Sequence, residues 1–125
     1  AYFDLTDVMR YEPARDIDER RPADCVVNFD VLEHVFISDI PMVTRELFSY
    51  AGKLIIVNVA GYEAAAKLPN GKNARVTVRP PMWWKGLFDC ISIEFPDVSI
   101  CLICSTSPEK ATMFPIWRAD DGFEV

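Results

Sequence analysis

The chain has 125 residues, half of them hydrophobic and about a quarter charged, and its formal net charge at pH 7 is −6. This length and composition are typical of one soluble globular domain, which we expect to span residues 1–125, and they exclude a disordered chain. The negative charge argues against nonspecific binding of nucleic acid, which depends on Lys and Arg. No apolar run reaches the roughly 18 residues of a membrane span, so no membrane partner is expected.

The four cysteines favour a reduced chain over a disulfide framework. Cys25, Cys101 and Cys104 lie in apolar runs, and Cys90 lies on a predicted helix face. Free cysteine behaves as a small hydrophobe, so we predict buried free thiols and a cytoplasmic location. Cys101 and Cys104 would face opposite sides of a strand and no second pair accompanies them, so we predict no metal site.

The first third of the chain alternates between apolar and polar segments. Residues 1–7 are typical of a short strand that ends in acidic residues, and residues 8–24 form a polar connecting segment. Residues 25–32 are apolar almost without alternation, which is typical of a strand that is covered on both faces. We therefore predict two strands joined by a loop.

A helix and a further strand follow. Ser38 or Asp39 can cap the helix, Pro41 falls in its first turn, and Gly52 marks its end. Residues 53–60 are β-branched and uninterrupted, which indicates a strand. A strand, helix and strand joined by short links form a right-handed crossover between parallel strands. The helix face that we expect to be buried contains Ile40, Val43, Leu47 and Tyr50.

The remaining elements are a long loop, a second helix and a hairpin. Residues 61–81 combine a short helical piece, a Pro-Asn-Gly turn and a polar stretch, and a loop of this length in a compact domain is usually functional or mobile. Pro80 and Pro81 open a second helix, and residues 98–104 and 111–119 flank a six-residue turn, which is typical of a β-hairpin. Pro115 places its strand at a sheet edge or a bulge. The apolar stripe of the helix is Trp84, Leu87, Phe88, Ile91 and Phe95.

Polar residues follow both predicted parallel strands where those strands end. Asn28 and Asp30 lie near the end of the first strand, Glu33 and His34 come after it, and residues 58–61 end the second. Parallel strands end at the same edge of a sheet, where open α/β sheets bind ligands. The sequence therefore predicts a ligand site at residues 28–34, although an ordinary strand-to-loop transition would have the same composition.

This order of elements resembles the C-terminal part of class I S-adenosylmethionine-dependent methyltransferases. The resemblance lies in ADCVVNFDVLEHV (residues 23–35), RELFSYAGKLIIVNV (residues 45–59) and the closing hairpin. It implies an α/β fold: a Rossmann-like three-layer sandwich whose partial methyltransferase sheet has parallel strands and a C-terminal antiparallel hairpin. In that family the last strand of the hairpin inserts antiparallel into the sheet. Residues 67–84 are also similar to bacterial and phage methyltransferases linked to surface-sugar metabolism.

The resemblance also implies a cofactor and roles for individual residues. The cofactor would be S-adenosylmethionine, and the second substrate a small molecule. Asp4 and Leu5 would lie beside the adenine, while Asn28, Phe29 and Asp30 would line the methionine side of the cofactor. Glu33 and His34 would border the methyl-transfer cleft, with His34 as the candidate base.

A basic loop and a tryptophan are the candidates for substrate binding. Lys67, Lys72, Arg75 and Arg79 gather positive charge on one loop of an acidic protein. Arginine forks bind phosphate or carboxylate, so we expect an anionic acceptor, with a solvated loop as the alternative. Trp83 lies off the apolar stripe of its helix and could stack on a substrate ring.

The sequence departs from the family in two features that bind the cofactor: the glycine-rich turn after the family's first strand is absent, and so is the acidic residue that binds the ribose hydroxyls. We therefore expect weak or no cofactor binding by this chain, which would be a fragment of a longer enzyme or a homodimer covering its own open sheet. The alternative is a non-enzymatic interaction or dimerisation module derived from a nucleotide-binding fold. Half of a dehydrogenase is a third interpretation, against which the terminal hairpin argues.

Overall fold

The computed structural model describes residues 11–12, 15–64 and 69–116. The chain forms a four-stranded sheet with the strand order β3-β4-β5-β6, and a separate two-stranded sheet, β1-β2. The elements in chain order are β1 (Tyr11–Glu12), β2 (Ile17–Asp18), β3 (Ala23–Phe29), a 3₁₀ turn (Leu32–His34), α1 (Ile40–Tyr50), β4 (Ala51–Ala60), α2 (Pro81–Ser92), β5 (Ser99–Ser107) and β6 (Lys110–Ile116).

The main sheet is mostly parallel, which confirms the predicted α/β class. β3 pairs parallel with β4, β4 pairs parallel with β5, and β6 closes the sheet as an antiparallel hairpin with β5. Helix α1 connects β3 to β4, and α2 lies between β4 and β5. The units β3–α1–β4 and β4–α2–β5 both step in the same direction across the sheet. Right-handed crossovers of this kind place their helices on the same face of the sheet, and α1 and α2 contact each other.

The core lies between this face and the two helices. In α1, Ile40, Thr44 and Phe48 are buried at four-residue spacing, and in α2 Trp84 and Phe88 are buried in the same way. They pack on the alternate residues of the central strands, which the pleat turns to the same side. The strand residues in this core are Ile55, Val57, Val59, Ile100, Leu102 and Cys104.

The opposite side of the sheet, which we call the open face, is less covered by the described residues. Val27 and Phe29 are 53% and 52% exposed, and Met113 on β6 is 59% exposed. The prediction that residues 25–32 form a strand covered on both faces is therefore not met within the described part of the chain. The described layers are one helical layer and one sheet.

Three element boundaries differ from the sequence prediction. The polar segment 8–24 contains the short β1-β2 pair, in which Tyr11 faces Asp18. β3 ends at Phe29, and Leu32–His34 form a 3₁₀ turn instead of continuing the strand. The hairpin turn is only Pro108 and Glu109, because pairing continues to Ser107 and Lys110.

The last strand occupies an edge position. β6 pairs only with β5 in the described sheet, so it does not insert between two strands as the family resemblance implied. Pro115 lies on this edge strand, which confirms the sequence prediction. Proline has no backbone N–H to donate to a neighbouring strand, so an edge strand tolerates it where a central strand does not.

All four cysteines are free, but they are not all buried as predicted. Cys25 and Cys90 are exposed, Cys101 is half-buried and Cys104 is buried. Burial raises the pKa of the Cys104 thiol to about 11, which keeps it protonated. Within the described residues, no helix has both the length and the apolar character that crossing a membrane requires.

Candidate functional site

The carboxyl ends of β3, β4 and β5 form a shared edge, which we call the rim. The Asp30 N–H donates to the Asn58 carbonyl at 3.0 Å, and the Gly61 N–H donates to the Ser105 carbonyl at 2.7 Å. Asp30 is exposed and has a φ of 56°, a left-handed conformation that Asp adopts more readily than most residues. The prediction that two parallel strands end side by side here is confirmed.

The two strand ends differ in their access to solvent. Phe29 and Asp30 are exposed, whereas Val59 is fully buried and Ala60 is 2% exposed. The carboxylate of Glu33 covers the end of β4, where its Oε2 accepts the Ala60 N–H at 3.2 Å. A ligand at the rim would therefore meet the end of β3 and the turn that follows it, and not the tip of β4.

Glu33 is fully buried although it is a charged residue. Its Oε1 has no hydrogen-bond partner, and the Arg75 Nε lies 3.9 Å from its Oε2, beyond hydrogen-bond distance. Burial is the largest influence on this carboxyl, and it raises its pKa above the ordinary value of 4.5; nearby Asp30 raises it further. This placement puts Glu33 inside the protein, beside the rim and beneath the neighbouring loop.

His34, the next residue, is exposed and has a defined orientation. Its Nδ1 lies 2.8 Å from the Ala74 carbonyl oxygen. A carbonyl oxygen can only accept, so Nδ1 carries the proton in this contact, and in the neutral ring Nε2 is the unprotonated nitrogen. His34 can therefore accept a proton at Nε2 while the loop fixes the ring.

The loop that precedes α2 is bound to the 3₁₀ turn. The Thr77 N–H donates to the Glu33 carbonyl at 3.0 Å, and the Thr77 hydroxyl donates to the Val35 carbonyl at 2.7 Å. At the rim, a Cβ on Gly61 would lie 3.2 Å from the carbonyl oxygens of both Arg79 and Ser105, so glycine permits this close approach. The predicted functional loop is thus held against residues 33–35.

Three hydrogen bonds join the two described limbs of the same loop. The Asn73 side chain accepts the Ala64 N–H at 2.9 Å and donates to the Ala64 carbonyl at 2.7 Å. The Arg75 guanidinium lies over the Tyr62 ring at 4.6 Å, and its Nη1 donates to the Tyr62 carbonyl at 3.2 Å. These contacts hold Arg75 in one place although it belongs to a long loop.

The described part of the loop lines an open cavity of about 450 Å³, which is within the range of small-molecule sites. It is lined by Phe36, which follows the 3₁₀ turn, by Glu63, and by residues of the second limb that include Lys72, Arg75 and Arg79. Arg75 and Arg79, which the sequence predicts as substrate-binding, are thus brought together. Trp83 is not among the lining residues: it packs against the core, with its ring 4.9 Å from that of Trp84.

The predicted cofactor-binding residues have different surroundings. Phe29 belongs to the open face and Asp30 to the rim, while Asn28 is half-buried and its Oδ1 has no hydrogen-bond partner. Asp4 and Leu5 lie outside the described residues, as does Lys67 of the basic loop. Asn28, Asp30 and His34 therefore lie within one stretch of chain at the end of β3.

Three residues that the sequence analysis did not single out build this region. Thr77 is buried and ties the loop to the turn, Asn73 joins the loop limbs, and Tyr62 supports Arg75. Each acts through a contact with residues distant in sequence, so periodicity and composition carry no signal for it.

Family models, curated proteins and solved structures were compared with the chain, and none gives a significant match. The site is therefore interpreted from its own geometry.

Proposed function

We propose that the chain carries part of the catalytic site of an S-adenosylmethionine-dependent methyltransferase that acts on a small molecule. The observation that carries the proposal is the rim of parallel strands, followed directly by a fixed and exposed histidine. Open parallel sheets bind ligands at this edge. The four free thiols favour a reducing compartment, and we propose the cytoplasm.

The residues at the end of β3 match one part of this cofactor. The exposed Asp30 carboxylate is an acceptor at the surface, and the Asn28 Oδ1 is a buried acceptor without a partner, which a change of side-chain rotamer would have to expose. They suit the ammonium group of the methionine moiety, which is a donor. When bound, the cofactor would supply an electrophilic methyl group on a sulfonium sulfur. Asn28 and Asp30 would hold its amino end beside the 3₁₀ turn.

In this proposal His34 is the proton acceptor and Glu33 is a positioning residue. An acceptor hydroxyl or amine loses a proton as it takes a methyl group, and Nε2 of His34 could receive it. The bond from Nδ1 to the Ala74 carbonyl keeps the ring in the tautomer that this role needs. Glu33 is fully buried, so it would act by holding the end of β4 in place.

Titration with S-adenosylhomocysteine tests whether the rim binds the cofactor. The demethylated product has the same amino end, so we expect saturable amide shifts at residues 28–34 in the NMR spectrum of labelled protein. Asp30→Asn should weaken the affinity about tenfold, because a charge-assisted hydrogen bond contributes about 1.5–3 kcal/mol. Asn also tolerates the left-handed conformation of this position.

The matched control is Asp97→Asn, which makes the same change in an exposed loop just before β5, at the opposite end of the parallel strands. It should leave the affinity unchanged. No shift at residues 28–34 with millimolar ligand would rule out cofactor binding by this chain. Equal weakening by both variants would show that only the overall charge matters.

The open face supports a second candidate function, as a homodimerisation surface. The strand register places Val27, Ile56 and Cys101 in one row and Phe29, Asn58, Ile103 and Met113 in the next. None of these side chains is charged, so two copies of a chain of net charge −6 could meet here without direct repulsion. The most exposed members are Val27, Phe29 and Met113, and apolar rows of this kind are typical of subunit interfaces.

Analytical ultracentrifugation of Val27→Lys tests the dimer. We expect the wild type to dimerise and the variant to weaken dimerisation by at least about tenfold, because a lysine would lose its hydration in the interface. Ile93→Lys is the control, since Ile93 is 79% exposed just after α2 and outside the open face. A wild type that stays monomeric at high concentration would exclude this function.

A further inference from the structure

The open cavity lined by Phe36, Glu63 and residues 72–79 has an unusual charge for this protein. Lys72, Arg75 and Arg79 contribute three cations to its wall, and Glu63 contributes one carboxylate. The whole chain carries a net charge of −6, so this excess of positive charge is local. A site with an excess of positive charge attracts anions and repels cations.

Two of the cations have no counter-ion in the described part of the chain. Neither Lys72 nor Arg79 has a carboxylate within ion-pair distance there, and the Arg79 Nη1 donates only to the neighbouring Val78 carbonyl at 3.1 Å. An unpaired arginine keeps its fork of donors available to a carboxylate or phosphate.

Arg75 differs from these two because it is already oriented, and its Nε lies 3.9 Å from the buried Glu33 carboxylate. Its side chain is 19% exposed, it lies over the Tyr62 ring, and Nη1 is bonded to the Tyr62 carbonyl. An anion that binds beside it would not have to order a free side chain, which is a large part of the cost of binding. The cavity thus combines one fixed cation with two cations that can adjust.

We infer that this cavity binds a small hydroxylated molecule through its phosphate or carboxylate group. Arg75 and Arg79 would contact the anionic group and Lys72 would add charge. Glu63 would accept hydrogen bonds from hydroxyls, which limits the ligand to one that carries donors as well as an anion. Phe36, whose side chain is 67% exposed, offers an apolar wall to the carbon skeleton.

The position of the cavity connects it to the proposed chemistry. Ala74, which accepts from the His34 ring, lies between the lining residues Asn73 and Arg75. The bound molecule would therefore lie close to His34, as a methyl acceptor must. This substrate role rests on the proposed function, whereas the binding of the anion does not.

The test is an NMR titration of the full chain with glucose 6-phosphate, glucuronate and uncharged glucose. We expect saturable shifts at residues 72–79 with at least one of the two anions and none with glucose, and the stronger of the two identifies the anionic group. Arg79→Gln should weaken that binding about tenfold, since a charge-assisted contact contributes about 1.5–3 kcal/mol. Arg79 is exposed, so this variant should remain folded.

Lys110→Gln is the control, because it removes the same charge at the exposed start of β6. It should leave the affinity unchanged. No saturable shift with either anion, or equal weakening by Arg79→Gln and Lys110→Gln, would overturn the inference. Anion binding by a chain that does not bind S-adenosylhomocysteine would keep the anion site and remove its role as a methyl-acceptor site.

Discussion

Phe88→Ala should strongly destabilise the protein, because it truncates a large aromatic side chain between α1 and α2. Phe88 is fully buried in α2, and its ring lies 6.1 Å from that of Phe48 in α1. Truncating a buried phenylalanine removes its burial free energy and leaves a cavity, at a cost of about 3–5 kcal/mol. Because domains of this size are stable by about 5–15 kcal/mol, urea denaturation should show a much lower midpoint.

Met82→Ala is the matched control for this change. Met82 lies in the same helix, but its side chain is 67% exposed. Its truncation should alter the free energy of unfolding by no more than about 0.5 kcal/mol, as is usual for surface positions. A Phe88→Ala variant as stable as Met82→Ala would contradict the packing of α1 against α2 on the sheet.

The elements of the core were predictable because their sequence patterns are local. The position of α1 was predicted from its helical spacing and β4 from its uninterrupted β-branched run. The predicted buried face of α1 was only partly right, because Ile40 is buried together with Thr44 and Phe48, while the other predicted residues are half-buried (Val43, Leu47 and Tyr50). Because short links join α1 to the strand before it and to the strand after it, these two strands are expected to pair in parallel, and β3 and β4 do so. The side-by-side ends of these strands at the rim followed from the same argument.

The covering of the site could not be predicted, because it depends on contacts between distant residues. Thr77 reaches back to the carbonyls of Glu33 and Val35, and no pattern within residues 61–80 encodes that partner. Glu33 is fully buried beside this docked loop, whereas the family resemblance placed it at the border of the methyl-transfer cleft. The exposure of Val27 and Phe29 also depends on what covers the sheet and not on β3 itself.

The burial of Glu33 should be measurable as a dependence of stability on pH. Its pKa is raised in the folded protein, chiefly by burial, above the ordinary value of 4.5. A raised folded pKa means that the folded state binds the proton more tightly than the unfolded state does. The contribution of Glu33 is therefore fully present below about pH 4.5 and is lost as the pH rises through the folded pKa.

Glu33→Gln should remove this component, because glutamine has nearly the same shape but does not titrate. Relative to the wild type, the variant should gain stability between pH 4.5 and pH 8, by about 1.4 kcal/mol for each unit by which the pKa was raised. Thermal and urea denaturation at several pH values measure the difference in free energy of unfolding between the two proteins. The contributions of the other titrating groups cancel in this difference, because both proteins contain them.

A second substitution at the same position separates the charge of Glu33 from its hydrogen bond. Glu33→Ala also removes the acceptor of the Ala60 N–H, which would then be buried without a partner at the end of β4. It should be less stable than Glu33→Gln at every pH, by about 1–3 kcal/mol. If Glu33→Gln instead lost stability relative to the wild type as the pH rose, the attraction between Glu33 and Arg75 would outweigh the cost of burial. The carboxylate would then be a required partner of the arginine that lines the cavity.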